Sequence, residues 1–519
     1  MSMHRTQSSA ALACATALLL TATPAAAEGI ETTTAGAVAL GRSANALHVN
    51  DFMATWLNPA NLAVIPDNDL GGELRLPLLH ACFDRARNSA LEYRTNDPAQ
   101  GLAGEESFDE VCNQGAVMPT GNLGWAQAFA SGWGYGIGFF TPTAIAGLKY
   151  GRDTIVTQVP AAGETQPLTT SGVESPNRFL LLQRAQLGGF LQAGAGVQLA
   201  KQLRVGLAAG LGFATVRNVN VGSVQGGTFR DQELLTDIHV SDWPIPRATA
   251  SVVVEPLNGL DVLASFTYQA NVEGSGYVDF TANGIQGAPL TDCRASPERP
   301  GPHCRSDNAS LTVPFPRFAA TLGVRYASRR TERRRALDPM QDERWDIELN
   351  GTWSETSHID QYTLKLYDQA PGAPGSSRVA FSSAPGSAAL ALPAQIVIPY
   401  HWRDTFSVRA GGDYNAIAGK LALRAGVSYE SSATPTAYMN IDAWAVSRYG
   451  LHLGATWAFG ALKLSLAYAH IFYESVNVAL GQGRLNEVVS TAPEQAQAVN
   501  EGNYSAALNV ISVQANGSF

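Results

Sequence analysis

Beyond residue 27, no apolar run in this 519-residue chain approaches the ~20 residues that a membrane-crossing helix needs, yet apolar residues keep recurring at every second position. Leu203, Val205, Leu207, Ala209, Leu211 and Phe213 alternate with Arg204, Gly206, Ala208, Gly210, Gly212 and Ala214. Phe318, Ala320, Leu322, Val324 and Tyr326 alternate with Ala319, Thr321, Gly323 and Arg325. The same rhythm runs through 345–353, 421–430 and 462–469. A period of two is the signature of a strand with two different faces. Here one face is greasy and the other small or polar. In a membrane barrel the greasy face meets lipid and the other lines the lumen. Tyr and Trp cap several segments, as expected where amphipathic rings sit at headgroup level. The expectation is an all-β fold, a transmembrane antiparallel β-barrel.

Fourteen such strands can be counted, starting near Gly72, Asn122, Trp133, Arg184, Lys201, Trp243, Leu260, Asn308, Arg344, Ala394, Lys420, Arg448, Ala461 and Gly502. Ser131–Gly132, Pro256–Gly259, Ala416–Gly419 and Phe459–Gly460 are short connections; 151–177 and 478–501 are long. Short and long alternate, with 327–343 a longer turn on the short side. Outer-membrane barrels have short periplasmic turns and long outer loops. A soluble β-sandwich would also alternate, but it does not account for sided loop lengths and an even strand count.

The ends of the chain agree. His4 and Arg5 precede the apolar run Ala10–Leu20, and Ala25-Ala26-Ala27 follows Pro24. That order predicts a secretory signal peptide over 1–27, with Glu28 the mature start. A lipoprotein acylated on Cys14 is the alternative. At the other end, Ile511, Val513, Ala515, Gly517 and Phe519 alternate with polar residues. A strand that stops on an aromatic residue resembles the closing strand of bacterial outer-membrane barrels, which the barrel assembly machinery reads. Without residues 1–27, and so without Arg5, 34 basic residues face 44 acidic ones. That balance disfavours nucleic acid as a partner. The Arg329–Arg335 run is read as a solvated turn.

Cys82, Cys112, Cys293 and Cys304 remain after cleavage, an even number that suggests disulfides in an exported chain. Cys82–Cys112 with Cys293–Cys304 is one of three possible connectivities. The spacing matches no zinc module, and neither a metal nor a cofactor is expected. There is no G-x-S-x-G elbow and no H-E-x-x-H. His470 is given a structural role, and no enzyme activity is expected. Arg204, Arg317, Arg325, Arg409 and Arg424 fall on the polar side of their strands. They are expected to brace the lumen against Asp346, Glu348, Asp413 and Glu430. The alternative is that one of them meets a ligand carboxylate.

Residues 28–69 do not read as a strand and could thread into the barrel (70–519) as a plug. The stretch 41–60, G-R-S-A-N-A-L-H-V-N-D-F-M-A-T-W-L-N-P-A, resembles the N-terminal hatch of the FadL-type family of long-chain fatty acid and aromatic hydrocarbon transporters, with its signature at Asn58, Pro59 and Ala60. Stretches 314–326, 402–414, 421–429 and 467–470 look similar too. The resemblance implies a 14-stranded, monomeric outer-membrane barrel. It implies capture of a hydrophobic ligand on outer loops, a lumen pocket, hatch rearrangement and sideways exit at a kink in the third strand. Gly136, Gly138 and Pro142 mark that kink, since glycine and proline weaken a ladder. Phe52, Trp56 and Phe140 are ligand-contact candidates near hatch or kink, joined by Arg317 and Arg409. The expected surroundings are outer-membrane lipid and lipopolysaccharide. The rival functions are a water-filled porin for polar solutes and an outer-membrane enzyme acting on lipid.

Overall fold

The computed structural model describes residues 35–66, 68–86, 110–141, 147–150, 177–223, 233–282, 303–330, 338–367, 376–381, 390–486 and 498–519. The expected signal peptide, Cys14, Pro142 and Cys293 lie outside them, as does the side chain of Cys304.

Fourteen strands close one antiparallel barrel. They are β1 (Asp69–Arg85), β2 (Val111–Cys112 and Thr120–Ala128), β3 (Trp133–Phe140 and Leu148–Lys149), β4 (Gln183–Ala200), β5 (Leu203–Ser223), β6 (Glu233–Leu257) and β7 (Leu260–Gln269 and Val272–Ala282). There follow β8 (His303–Val313 and Phe318–Arg329), β9 (Glu343–Ser354 and Gln361–Leu366), β10 (Gln395–Pro399 and Thr405–Ile417), β11 (Leu421–Glu430), β12 (Arg448–Phe459), β13 (Leu462–Tyr473 and Val476–Val478) and β14 (Gly502–Ser518). β14 pairs with β1 along its whole length, Asp69 against Ser518 through Arg85 against Gly502, and so removes the sheet edge. No described helix is long and apolar enough to cross a membrane.

Alternation sorts the side chains at the short-turn end as expected. Leu207, Leu322, Ile347, Val408, Leu453 and Leu466 point outward and are exposed. Their lumen-facing neighbours Asp346, Glu348, Arg325 and Arg424 are buried. Toward the long loops, on β6 to β10, the pattern inverts. Leu234, Ile238 and Val240 of β6 are buried, while Ser241 is exposed. In the upper part of β7, Val278 and Phe280 are buried; in upper β9, Tyr362, Leu364 and Leu366 are. Trp243, 60% exposed, stands where the greasy outer face ends on β6. This corrects the expectation that the greasy face meets lipid throughout. It also explains why β6 starts at Glu233, ten residues ahead of the expected Trp243. Above the belt the wall is no longer bathed in lipid, so its apolar side turns inward.

Cys82 and Cys112 are register partners on β1 and β2 and form a disulfide. Closing a loop over a separation of 30 residues stabilises by about 3–4 kcal/mol in the chain-entropy view. Arg329 departs from the solvated-turn reading: its guanidinium meets Glu255 at 2.7 Å, with both side chains buried.

The lipid face carries a direct test. Leu453 lies mid-strand on β12 and is 60% exposed. Leu453→Arg is expected to destabilise the barrel by about 2–4 kcal/mol in a bilayer. Denaturant titration of folded protein in vesicles would read this as a lowered midpoint, and an unchanged midpoint would place Leu453 off the lipid face.

Candidate functional site

Residues 35–66 fill the lumen at the short-turn end. Helix α1 (Ala37–Arg42) packs on β11 to β14; helix α2 (Ala54–Leu57) and the 3-10 turn Pro59–Val64 pack on the opposite side, against β2 to β6. The segment therefore spans the barrel from wall to wall.

The Asn58-Pro59-Ala60 sequence has a local physical reason. Asn58 accepts from the Ala60 N–H at 3.2 Å and donates its side-chain amide to the Ala46 carbonyl at 2.7 Å. It thus caps the 3-10 turn while tying it back to the preceding coil. Pro59 opens the turn, where its missing N–H leaves nothing unsatisfied. Ala60 also donates to Ser251 Oγ of β6 at 2.9 Å. The turn presses so closely on the wall that a Cβ at Gly206 would stand 2.2 Å from the Ala60 nitrogen, and one at Gly196 2.4 Å from the Pro59 oxygen.

Charge holds the other end. The Arg42 guanidinium has no exposed surface and meets Asp346 at 2.9 Å, Asp413 at 3.3 Å and Glu348 at 3.5 Å. Burial works against its charge, but these carboxylates outweigh burial and hold its pKa above the ordinary arginine value. Glu348 also accepts from the Leu47 and His48 N–H groups at 2.9 and 3.0 Å. His48 Nδ1 lies 3.1 Å from Asp346. Arg325 joins Glu343 and Asp346, Arg424 meets Asp413 at 3.1 Å, and Arg204 meets Asp261 at 3.0 Å. Arg204, Arg325 and Arg424 are therefore ion-paired, and the carboxylates anchor a plug residue that sequence reasoning missed. Arg42 sat inside the recognised stretch, but no local signal gives it three acidic partners some 300 residues away.

Of the two arginines singled out for ligand, Arg317 is exposed, in the break between the halves of β8, with a guanidinium nitrogen 3.2 Å from the His358 ring. It does not join the lumen pocket. Arg409 does. It meets Glu430 at 3.4 Å, a carboxylate it shares with Arg448, and its Nε has no hydrogen-bond partner among the described residues. It lines a cavity of about 100 Å³ above the plug, together with Trp56, Arg247, Thr267, Thr321 and Thr352.

Phe52, Trp56 and Phe140 come together. The Trp56 ring lies 5.3 Å from Phe140 and 5.7 Å from Phe190, and Phe52 stacks on Phe140 at 6.2 Å. The Arg247 guanidinium lies over the Trp56 ring at 3.5 Å. Phe140 ends the lower half of β3. There the β2 ladder gives way to side-chain bonds: the Thr141 hydroxyl accepts from the Gly121 N–H at 3.0 Å and donates to the Gly121 carbonyl at 2.7 Å.

Gly136 and Gly138 also make room for the plug. Gly136 and Gly138 sit in unbroken ladders with both β2 and β4. A Cβ at Gly136 would lie 2.2 Å from Thr55 Oγ1, and one at Gly138 2.6 Å from the Phe140 ring. Absence of a side chain lets α2 and its aromatic cluster approach the wall. The described pairing with β4 stops at Phe140 against Phe190 and resumes at Leu148 against Arg184.

Residues 336–519 match the family model of the outer membrane protein transport proteins (OMPP1/FadL/TodX). That match covers about a third of the chain, and the fold as a whole is that of a FadL-type barrel. A FadL homologue of Pseudomonas aeruginosa has the same fold, at TM-score 0.65 and 15% identity over 95% of this chain and 100% of that one. The toluene transporter TodX of P. putida aligns at 0.57 and 12%, over 91% and 95%. The toluene transporter TbuX of Ralstonia pickettii aligns at 0.52 and 12%, over 90% and 93%. No curated protein sequence matches the chain. These likenesses show the barrel fold.

The plug's attachment is testable. Arg42→Met removes the cation that three buried carboxylates share, and breaking one side of a buried ionic cluster costs about 3–5 kcal/mol. The variant is expected to insert as a barrel but to lose its plug to limited proteolysis far sooner than wild type. Equal protease resistance would show that Arg42 does not hold the plug.

Proposed function

We propose that this protein carries hydrophobic small molecules, long-chain fatty acids or related lipids and aromatic hydrocarbons, across the outer membrane without an energy source, and releases them sideways through its wall at β3. One observation carries the reading: the polarity of the lumen changes along its axis. Its outer part is lined by apolar side chains such as Ile238, Val278, Phe280 and Leu364. Its inner part is closed by a plug set in arginine–carboxylate pairs. An apolar ligand is stabilised down to the Trp56–Phe140–Phe190 cluster and no further, because going on would place it against charges that it cannot solvate. Phe140 belongs to both the cluster and the wall, beside the place where the Thr141 side chain replaces the ladder. Sideways movement into lipid is downhill from there. The packed lumen speaks against a water-filled porin.

The cavity next to Arg409 gives an acidic head group a seat, with the tail on the Trp56 cluster. Its hydroxyl-rich wall and the open Nε of Arg409 suit a carboxylate. TodX and TbuX are toluene transporters. Toluene has no group for Arg409 to hold, so Arg409 separates the two substrate classes.

Two variants test these statements. Leu123 and Phe139 are register partners on β2 and β3. Cysteines at both positions, oxidised, pin the wall at the last rung before Thr141. Uptake of radiolabelled fatty acid and toluene is expected to fall to the level of cells lacking the protein and to return on reduction. Unchanged uptake through the oxidised barrel would refute sideways exit at this seam. Arg409→Met is expected to lower fatty acid uptake about tenfold, the scale of one charge-assisted hydrogen bond, and to spare toluene. Equal effects on both would remove the acidic-head seat.

A further inference from the structure

The connection between β11 and β12, residues 431–447, does not stand away from the barrel. Met439, Ile441, Ala443, Trp444 and Ala445 are all buried, and so is Asp442. The segment leaves β11 on one side of the barrel and reaches the opposite wall. The Arg184 guanidinium of β4 donates to the Asp442 carbonyl at 3.1 Å and lies 3.5 Å from its carboxylate. The Tyr400 hydroxyl donates to the same carboxylate. Trp444 Nε1 donates to the Tyr150 hydroxyl at 3.3 Å, and the Trp444 ring lies 6.2 Å from that of Tyr504 on β14. The segment thus bridges β4, β10 and β14 across the lumen.

Its height matters. Arg184 and Phe190 are six residues apart on β4, roughly 20 Å at ~3.3 Å per residue. The segment is therefore a second closure well above the plug, with the apolar outer lumen between the two. Its hold is uneven. At the root it is fixed by main-chain bonds, Ala433 and Thr434 donating to the Ala445 carbonyl at 2.8 and 3.1 Å. One shoulder is tied by Asn500, which donates to the Ala437 and Met439 carbonyls at 3.0 Å. At the far wall each of these bonds depends on a wall side chain, Arg184, Tyr400 or Tyr150. Asp442 is a buried carboxyl group whose second oxygen has no hydrogen-bond partner among the described residues. A buried ion pair of this kind adds little to stability for its desolvation cost and serves better to select one arrangement over another.

We propose that residues 431–447 form an outer gate to the lumen, hinged at Ala433–Ala445 and latched to the far wall by Asp442 on Arg184 and Tyr400, and that ligand passes when the latch opens. The gate rests on the transport reading only for what passes it; its opening is measurable without transport. Ala443, 1% exposed, sits at the tip between Asp442 and Trp444. Ala443→Cys, in a chain with Cys293 and Cys304 changed to serine, is exposed on whole cells to a membrane-impermeant maleimide. Labelling is expected to be slow and to quicken about tenfold when Asp442→Asn or Tyr400→Phe weakens the latch, the scale of one hydrogen bond to a charged group. Added toluene is expected to quicken it as well. Unchanged labelling in both latch variants overturns the gate. If Asp442→Asn fails to insert, Tyr400→Phe, which removes one hydroxyl, decides alone. Faster labelling in a protein that takes up neither toluene nor fatty acid would keep the gate and discard the transport reading.

Discussion

The Arg42 guanidinium, enclosed by Asp346, Glu348 and Asp413, is the contact on which the rest of the lumen depends. A buried cation is tolerable only where its charge is matched and its donors are used. The match here is spread over the wall: Asp346 and Glu348 come from β9 and Asp413 from β10, with Arg424 of β11 and Arg325 of β8 completing the set. Four adjacent strands must be in register before the plug can dock. Conversely, without the plug the wall would carry uncompensated carboxylates. Plug and barrel are therefore mutually required at this level, and the plug is specified far more by electrostatics than by its short helices. A helix of six residues and one of four have little intrinsic stability of their own.

This ionic floor gives the lumen its direction. Above it, the inverted alternation of β6 to β10 puts apolar side chains inward. At the junction, Trp56 is shared between the two zones, in contact with both Phe140 and Arg247. An amphipathic ring with a cation and aromatic rings as neighbours suits a boundary between greasy and charged surroundings. The wall glycines admit the plug at van der Waals distance, so little room is left for water to cross beside it.

The barrel was largely legible in the sequence because lipid imposes a strict period of two on any strand that crosses it. The strands at Trp133, Leu260 and Arg448 begin where alternation says they should, and the sided connections follow. Legibility failed where lipid no longer acts. The stretch 233–242 alternates with its apolar side inward, so a search for outward grease starts the strand late, at Trp243. The plug motif was legible as a resemblance, and Asn58, Pro59 and Ala60 have clear local roles. Arg42 and Asp442 were not legible, because what matters about each is a partner hundreds of residues away. Gly136 and Gly138 were legible as glycines in a strand, but their closeness to the plug was not: glycine weakens a strand and also makes room beside it, and only the neighbouring chain shows the second role.

The central claim is that a barrel plugged this way passes greasy molecules and holds back polar ones. Uptake of a radiolabelled long-chain fatty acid, of toluene and of a small sugar, each at low concentration, by cells with and without this protein tests it most directly. The account predicts protein-dependent uptake of at least one of the two hydrophobic compounds and none of the sugar. Protein-dependent leakage of the sugar, with no gain for either hydrophobic compound, would contradict it.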